Sequence, residues 1–264
     1  MAWLDRKHAE IYYELHKVQG ECITLVNGYT RSGSDFRLLA KDLNAKGYSC
    51  LFLDNRGAGQ TKNDPNYEFV FEDWLADIES IWEKEKISRT HLLGISMGGF
   101  ICQRLTLRQN EATITDKMML ISTAFDPKAI HEPIPWSLDM GSIEKKLTDY
   151  FSSSYLSKNK LVVAAMVKQI HKEIEGGNFI LRAKLQRQAL KTMLPLELNL
   201  VAKKHPSVMV VHGDEDNVIP YREAEILAKI WNGARLELFS GAGHLLLAER
   251  SKDLKEKIID FLNS

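Results

Sequence analysis

The stretch His91-Leu92-Leu93-Gly94-Ile95-Ser96-Met97-Gly98-Gly99 decides how the rest of the chain is read. Residues 91–95 form a short apolar run of strand length, and a helix is expected to begin just after Ser96. Ser96 therefore stands at a tight strand-to-helix turn, bracketed as Gly-x-Ser-x-Gly by Gly94 and Gly98. A serine in such a turn takes a strained backbone conformation, and side chains two positions away would collide with it. The turn lifts the hydroxyl above the sheet. It also aims the helix N-terminus and the Met97 backbone N–H at any negative charge that develops beside Ser96.

Working outward, further runs at residues 11–15, 22–26, 49–53, 117–122, 207–211 and 235–239 read as strands. Helical spacing fills the gaps. Residues 34–46 carry Phe36, Leu39 and Leu43, with Ser34 as the expected N-cap and Gly47 as the C-cap. Residues 71–86 carry Trp74, Leu75, Ile78, Ile81 and Trp82 on one face. Helices are also expected at about 221–231 and 252–262. Continuous apolar strands alternating with helices imply a mostly parallel sheet covered on both faces.

The alternation stops between about Phe125 and His205. That stretch has helical patches, the turn-prone pieces His131-Glu132-Pro133-Ile134-Pro135 and Gly176-Gly177-Asn178, and no clear buried strand. It reads as an inserted helical cap, residues 126–205, on a core made of residues 1–125 and 206–264. The insert holds 13 Lys and Arg against 8 Asp and Glu, although the whole chain is neutral. Either it is a solvated helical surface, or it docks an anionic substrate or an acidic carrier. Trp136 within it is expected to pack or to line a pocket.

Bulk properties remove other classes. At 264 residues the chain is close to the size, roughly 250–300 residues, at which one core still serves. Zero net charge gives no reason to expect a nucleic-acid surface. No run approaches the ~20 apolar residues of a membrane span. Residues 1–10 lack the basic end and apolar run of a secretory signal, and Cys22, Cys50 and Cys102 are odd in number and well separated. The expectation is a cytoplasmic protein with buried thiols. Without a Cys-x-x-Cys pair, a His-Glu-x-x-His or a full dinucleotide fingerprint, no metal and no cofactor are expected.

A serine hydroxyl needs a base before it attacks anything at neutral pH. His244, in the loop Gly241-Ala242-Gly243-His244 between the last strand and the last helix, is the candidate. A carboxylate to orient it is sought in His212-Gly213-Asp214-Glu215-Asp216-Asn217-Val218-Ile219-Pro220, which offers Asp214, Glu215 and Asp216. A polar turn capping the next helix is the other reading of that loop, and both can hold for different carboxylates.

These segments together resemble the α/β-hydrolase family over nearly the whole chain. Ser96, Asp216 and His244 follow that family's order of nucleophile, acid and histidine. The family's Gly-x-x-Asp-x-x-x-Pro pattern matches Gly213, Asp216 and Pro220, and so selects Asp216 over Asp214 and Glu215. Asp126 is the fallback, at the other position some relatives use. Asp54-Asn55-Arg56-Gly57-Ala58-Gly59 resembles the family's structural loop beside the active site. Val26-Asn27-Gly28-Tyr29 stands at the oxyanion loop, with Asn27 where relatives have histidine. The resemblance implies oxyanion donors at the backbone N–H groups of Tyr29 and Met97, and an eight-stranded sheet with helices on both faces. It implies a serine hydrolase acting on a small or medium carboxylic ester. Enol-lactone or C–C bond hydrolysis, thioester or carrier-protein methyl-ester cleavage, and cofactor-free haloperoxidase-like chemistry are the alternatives within the fold. A receptor-like ligand-binding protein is the alternative outside enzymes.

Overall fold

The computed structural model describes residues 1–108, 114–131, 139–195, 198–201 and 206–264. Its sheet is built from β1 (Ala2–Arg6), β2 (Ala9–His16), β3 (Cys22–Val26), β4 (Ser49–Leu53), β5 (Lys62–Asn63), β6 (Arg89–Ile95), β7 (Ile114–Ile121), β8 (Ser207–Gly213) and β9 (Arg235–Phe239). The order across the sheet is β1-β2-β4-β3-β6-β7-β8-β9, with β5 paired to β2. From β4 to β9 every neighbouring pair is parallel, while β1, β2 and β5 join in antiparallel fashion.

The sheet thus has nine strands, not the expected eight. β5 is two residues long, too short for any periodicity to register. β1 is an edge strand in which Ala2, Leu4 and Arg6 are half-buried while Trp3 and Asp5 are exposed. Covered on one face only, it carries charge where an inner strand carries apolar residues, and so leaves no apolar run.

The inner strands explain the rest. In β6, β7 and β8, Leu92, Met118, Leu120, Val208 and Val210 face one layer, and Leu93, Met119, Ile121, Met209 and Val211 face the other. This is the two-residue period of a strand with both faces buried. The first layer contains α2 (Phe71–Glu85), α3 (Met97–Arg108) and α9 (Arg222–Ile230); the second contains α1 (Arg37–Asn44) and α11 (Ser251–Asn263). Each Leu or Ile buried this way contributes roughly 1.5–3 kcal/mol. The start of α1 differs from expectation. A short 3₁₀ turn, Gly33–Phe36, precedes it, and Ser32 rather than Ser34 supplies the cap by accepting the Ser34 N–H.

Between β7 and β8 the described residues form helices α4 (Met140–Tyr150), α5 (Ser153–Lys158), α6 (Lys160–Glu175), α7 (Phe179–Lys191) and α8 (Leu198–Val201). They enclose a small core of their own around Ile143, Leu147, Phe151, Val163, Val167 and Ile174. The proline-containing turn at 132–135, Trp136 and the expected boundary at His205 lie outside the described residues. Two carboxylates fasten this insert to the core loops. Glu249, in α10 (Leu246–Glu249), accepts from the Ser152 hydroxyl and from the Ser152 and Gly243 N–H groups; Glu215 accepts from Ser153 N–H. Among the described residues no helix is long and apolar enough to cross a membrane.

Candidate active site

Loops leaving the carboxyl ends of β3, β6, β8 and β9 meet over the sheet, where open α/β sheets gather their ligands. β6 delivers Ser96. Its φ of +53° lies in the left-handed region that a non-glycine residue occupies at a cost of about 1–2 kcal/mol. Several contacts hold it there. Ser96 N–H donates to Ile121 O at 2.9 Å, and Ser96 O accepts from Gly99 N–H at 2.9 Å and from Thr123 Oγ1 at 2.8 Å. Gly98 is a glycine because any Cβ there would run into the Val26 carbonyl oxygen. That approach packs the start of α3 against the end of β3 and brings the Asn27–Tyr29 loop beside the serine.

The β8 loop delivers Asp216, and the β9 loop delivers His244. His244 Nδ1 lies 2.7 Å from Asp216 Oδ2, and its Nε2 lies 3.0 Å from Ser96 Oγ. A carboxylate only accepts, so the neutral imidazole carries its proton on Nδ1 and presents the Nε2 lone pair to the Ser96 hydroxyl. His244 and Asp216 are 2% and 6% exposed, so the pair is shielded from competing water. The three residues, separated by up to 148 positions, form one unbroken hydrogen-bonded line. Such a line can move a proton from the serine to the imidazole while the carboxylate balances the charge that appears.

Asp216 is held by more than His244. Its Oδ1 accepts from the N–H groups of Val218 at 2.9 Å and Ile219 at 2.8 Å. Its Oδ2 also lies 3.0 Å from His212 Nε2. Burial alone pushes the carboxyl up, but the facing charge and hydrogen bonds of His244 and His212 outweigh it and hold Asp216 well below the usual carboxylate range. His212 is fully buried. Its Nε2 faces two acceptors, Asp216 Oδ2 and, at 2.8 Å, Ile219 O, and therefore bears the proton. Sequence reasoning missed this residue. It stood in view as the first residue of the loop that offers the three carboxylates, where a histidine next to the end of a strand carries no signal of its own.

The remaining acid candidates are elsewhere. Asp126 accepts the Lys128 N–H and caps a short 3₁₀ turn, Pro127–Ala129. Asp214 accepts the Gly241 N–H at 2.7 Å, and Glu215 holds Ser153. None of the three loop carboxylates caps α9, which has no side-chain cap, so the helix-capping reading of that loop does not hold.

On the β3 side, Asn27 is buried and organises its loop. Its Oδ1 accepts the Gly28 N–H at 2.8 Å, and its Nδ2 donates to Ser32 O at 2.7 Å and Asp35 Oδ2 at 2.9 Å. A neutral amide both accepts and donates here, which fits the site in place of the family's histidine. Gly28 lies against Ser96: a Cβ on it would stand 3.2 Å from the Ser96 Cβ. Tyr29 and Met97, whose backbone N–H groups are the expected oxyanion donors, line the same cavity as Ser96 and His244.

That cavity encloses about 590 Å³. The insert supplies much of its wall, with Leu147, Tyr150, Ile170, Phe179 and Leu190. The Tyr150 ring meets the His244 ring edge-on, with centroids 5.8 Å apart. Such a lining suits a small, partly apolar ligand.

Residues 19–251 match the family model described as "Serine aminopeptidase, S33", so the chain belongs to that family of α/β-hydrolases. It is a hydrolase, and a putative non-heme bromoperoxidase and an enol-lactonase are among the proteins it is similar to. It is 24% identical over 261 residues to the uncharacterized hydrolase YugF of Bacillus subtilis, covering 96% of this chain and 94% of that one. It is 23% identical to Lipase 3 of a Moraxella species, over 92% of this chain and 78% of the lipase. The crystal structure of the enol-lactonase from Burkholderia xenovorans superposes with a TM-score of 0.82 at 20% identity, covering 100% of both chains. At that identity the likeness speaks for the fold.

Proposed function

We propose that this hydrolase cleaves a small or medium carboxylic ester through an acyl-enzyme on Ser96, with His244 as base, Asp216 as its orienting acid, and the backbone N–H groups of Tyr29 and Met97 as oxyanion donors. One observation carries the reading: the line from Ser96 Oγ through His244 to Asp216, at 3.0 and 2.7 Å. Ser96 Oγ bonds to the substrate carbonyl carbon as its proton passes to His244 Nε2. The carbon–alkoxide bond then breaks, and the leaving alcohol takes that proton. Water adds to the acyl-enzyme, giving a proton to His244. The acyl–Oγ bond breaks, the proton returns to Ser96, and the carboxylic acid departs. Each oxyanion donor is worth about 3 kcal/mol. The same reading takes residues 126–205 as a cap over a core of residues 1–125 and 206–264. Three buried cysteines, none in a disulfide, support a reducing, cytoplasmic setting. The enol-lactonase and the lipase among the similar proteins are in line with ester or lactone carbonyl chemistry.

The test is turnover of p-nitrophenyl esters from acetate to decanoate, wild type beside Ser96→Ala. The expected outcome is a chain-length optimum in the wild type and a turnover roughly 10⁴–10⁶ lower in the variant. Wild-type turnover in a clean Ser96→Ala preparation would overturn the assignment.

A further inference from the structure

The cavity over Ser96 contains a charged group that acyl transfer leaves unused. Arg104 lies on α3, two turns beyond Ser96, and is 8% exposed. Its Nη2 donates to Leu194 O at 2.8 Å, but its Nη1 is buried with no hydrogen-bond partner. Arg56 provides the contrast. Equally hidden, it is gripped by Asp77 through Nε at 2.7 Å and Nη2 at 2.9 Å. Arg104 has no carboxylate at ion-pair distance among the described residues. A buried guanidinium left short of partners is costly, and its position on the cavity wall gives a ligand a place to supply one.

The surroundings favour an anion. Burial lowers Arg104 to about 10, with Asp126 and Glu72 pulling the other way, so it remains a cation at neutral pH. Among the described residues around the cavity five side chains are basic and two acidic, and four basic ones remain once Arg31 is counted with its partner Asp35. Lys128 and Lys191 are among them, and Asp126, the nearby acid on this wall, is engaged by the Lys128 N–H.

We infer that Arg104 is the anchor for a carboxylate on the substrate, so that the site selects an ester or lactone bearing a free acid at some distance from the scissile carbonyl. The inference rests on the acyl-transfer reading of Ser96. A carboxylate is planar, and its two oxygens match the fork of a guanidinium. Arg104 leaves its helix two turns beyond Ser96, which places the anion several bonds from the reacting carbonyl.

The experiment compares p-nitrophenyl monoesters of glutaric, adipic and suberic acids with the same compounds capped as methyl esters at the distal acid. At the best length, kcat/KM for the free acid should exceed that for the capped ester by roughly 10–100-fold. Arg104→Met should bring the ratio close to unity, and Arg104→Lys should leave it intermediate, with thermal midpoints confirming that both variants fold. A ratio near unity at every length in the wild type overturns the subsite, as does a high ratio that Arg104→Met leaves intact. If neither ester of a pair is turned over, calorimetry of monomethyl adipate with Ser96→Ala reads the subsite directly. Binding that Arg104→Met abolishes in that background supports it; no binding, or binding indifferent to Arg104, overturns it. Turnover of the capped esters that survives Ser96→Ala would instead overturn the acyl-enzyme reading alone.

Discussion

His212 Nε2 stands 3.0 Å from Asp216 Oδ2, the same oxygen that receives the His244 Nδ1–H at 2.7 Å. Two imidazoles therefore share one carboxylate oxygen, while two backbone N–H groups take the other. Four donors fix the carboxylate plane, and with it the direction in which His244 is held.

If His212 positions Asp216, the donated hydrogen bond matters more than the ring. His212→Leu removes it and leaves Ile219 O and one lone pair of Asp216 buried without a donor. The expected loss is about 1–3 kcal/mol of stability and a fall in kcat with little change in KM. His212→Gln keeps an N–H within reach and should recover part of kcat. Denaturant unfolding and steady-state kinetics on the pair check this. Equal kcat in the two variants would reduce His212 to a packing residue.

The ionised state of Asp216 gives a pH dependence whose sign can be worked out. Its carboxyl is held below the ordinary unfolded value of about 3.9. A group depressed in the folded state adds stability that is fully present above the unfolded value and is lost as pH falls through the folded one. Asp216→Asn lacks this contribution. Between pH 5 and pH 2 the wild type should therefore lose more unfolding free energy than the variant does. At neutral pH the amide should impose the wrong tautomer on His244 and lower kcat by roughly 10⁴. Parallel stability curves for the two proteins over that range would refute the proposed hold on Asp216.

How much of this was legible in the chain depended on whether a residue's role shows in its own neighbourhood. Gly94 and Gly98 announce the Ser96 turn because only glycine tolerates the close approach there, whereas Gly213, Asp216 and Pro220 single out one carboxylate of three only through their resemblance to the family's pattern. The inner strands are legible because both of their faces are apolar. β1 was not, since an edge strand carries charge. Arg104 reads as the polar side of a helix until Leu194 and the cavity wall are placed against it, 90 residues later in the chain. Asn27 reads as a departure from a pattern until Ser32 and Asp35 close around it.

Gln186 on α7 joins the insert to the loops that follow β3 and β4. Its Oε1 accepts the Thr30 N–H at 2.7 Å, and its Nε2 donates to Arg56 O at 2.9 Å. The side chain is fully buried, and the Tyr29 hydroxyl adds a second tie by donating to Ala183 O at 2.8 Å. Thr30 adopts a φ of +62° directly after Tyr29, so the Gln186 contact holds the peptide between Tyr29 and Thr30, the unit next to the one that carries the Tyr29 N–H. Gln186→Leu preserves much of the volume but leaves the half-buried Thr30 N–H unmatched, at about 1–3 kcal/mol, while the Arg56 carbonyl keeps the Trp74 Nε1–H at 3.2 Å. The expected result is a lower thermal midpoint. A KM rise exceeding the fall in kcat would follow if the tie mainly shapes the pocket. A fall in kcat with KM unchanged would locate its effect at the Tyr29 peptide instead. Kinetics indistinguishable from wild type, with only the midpoint lowered, would mean that the insert holds its place over Ser96 through Tyr29, Glu215 and Glu249 without Gln186.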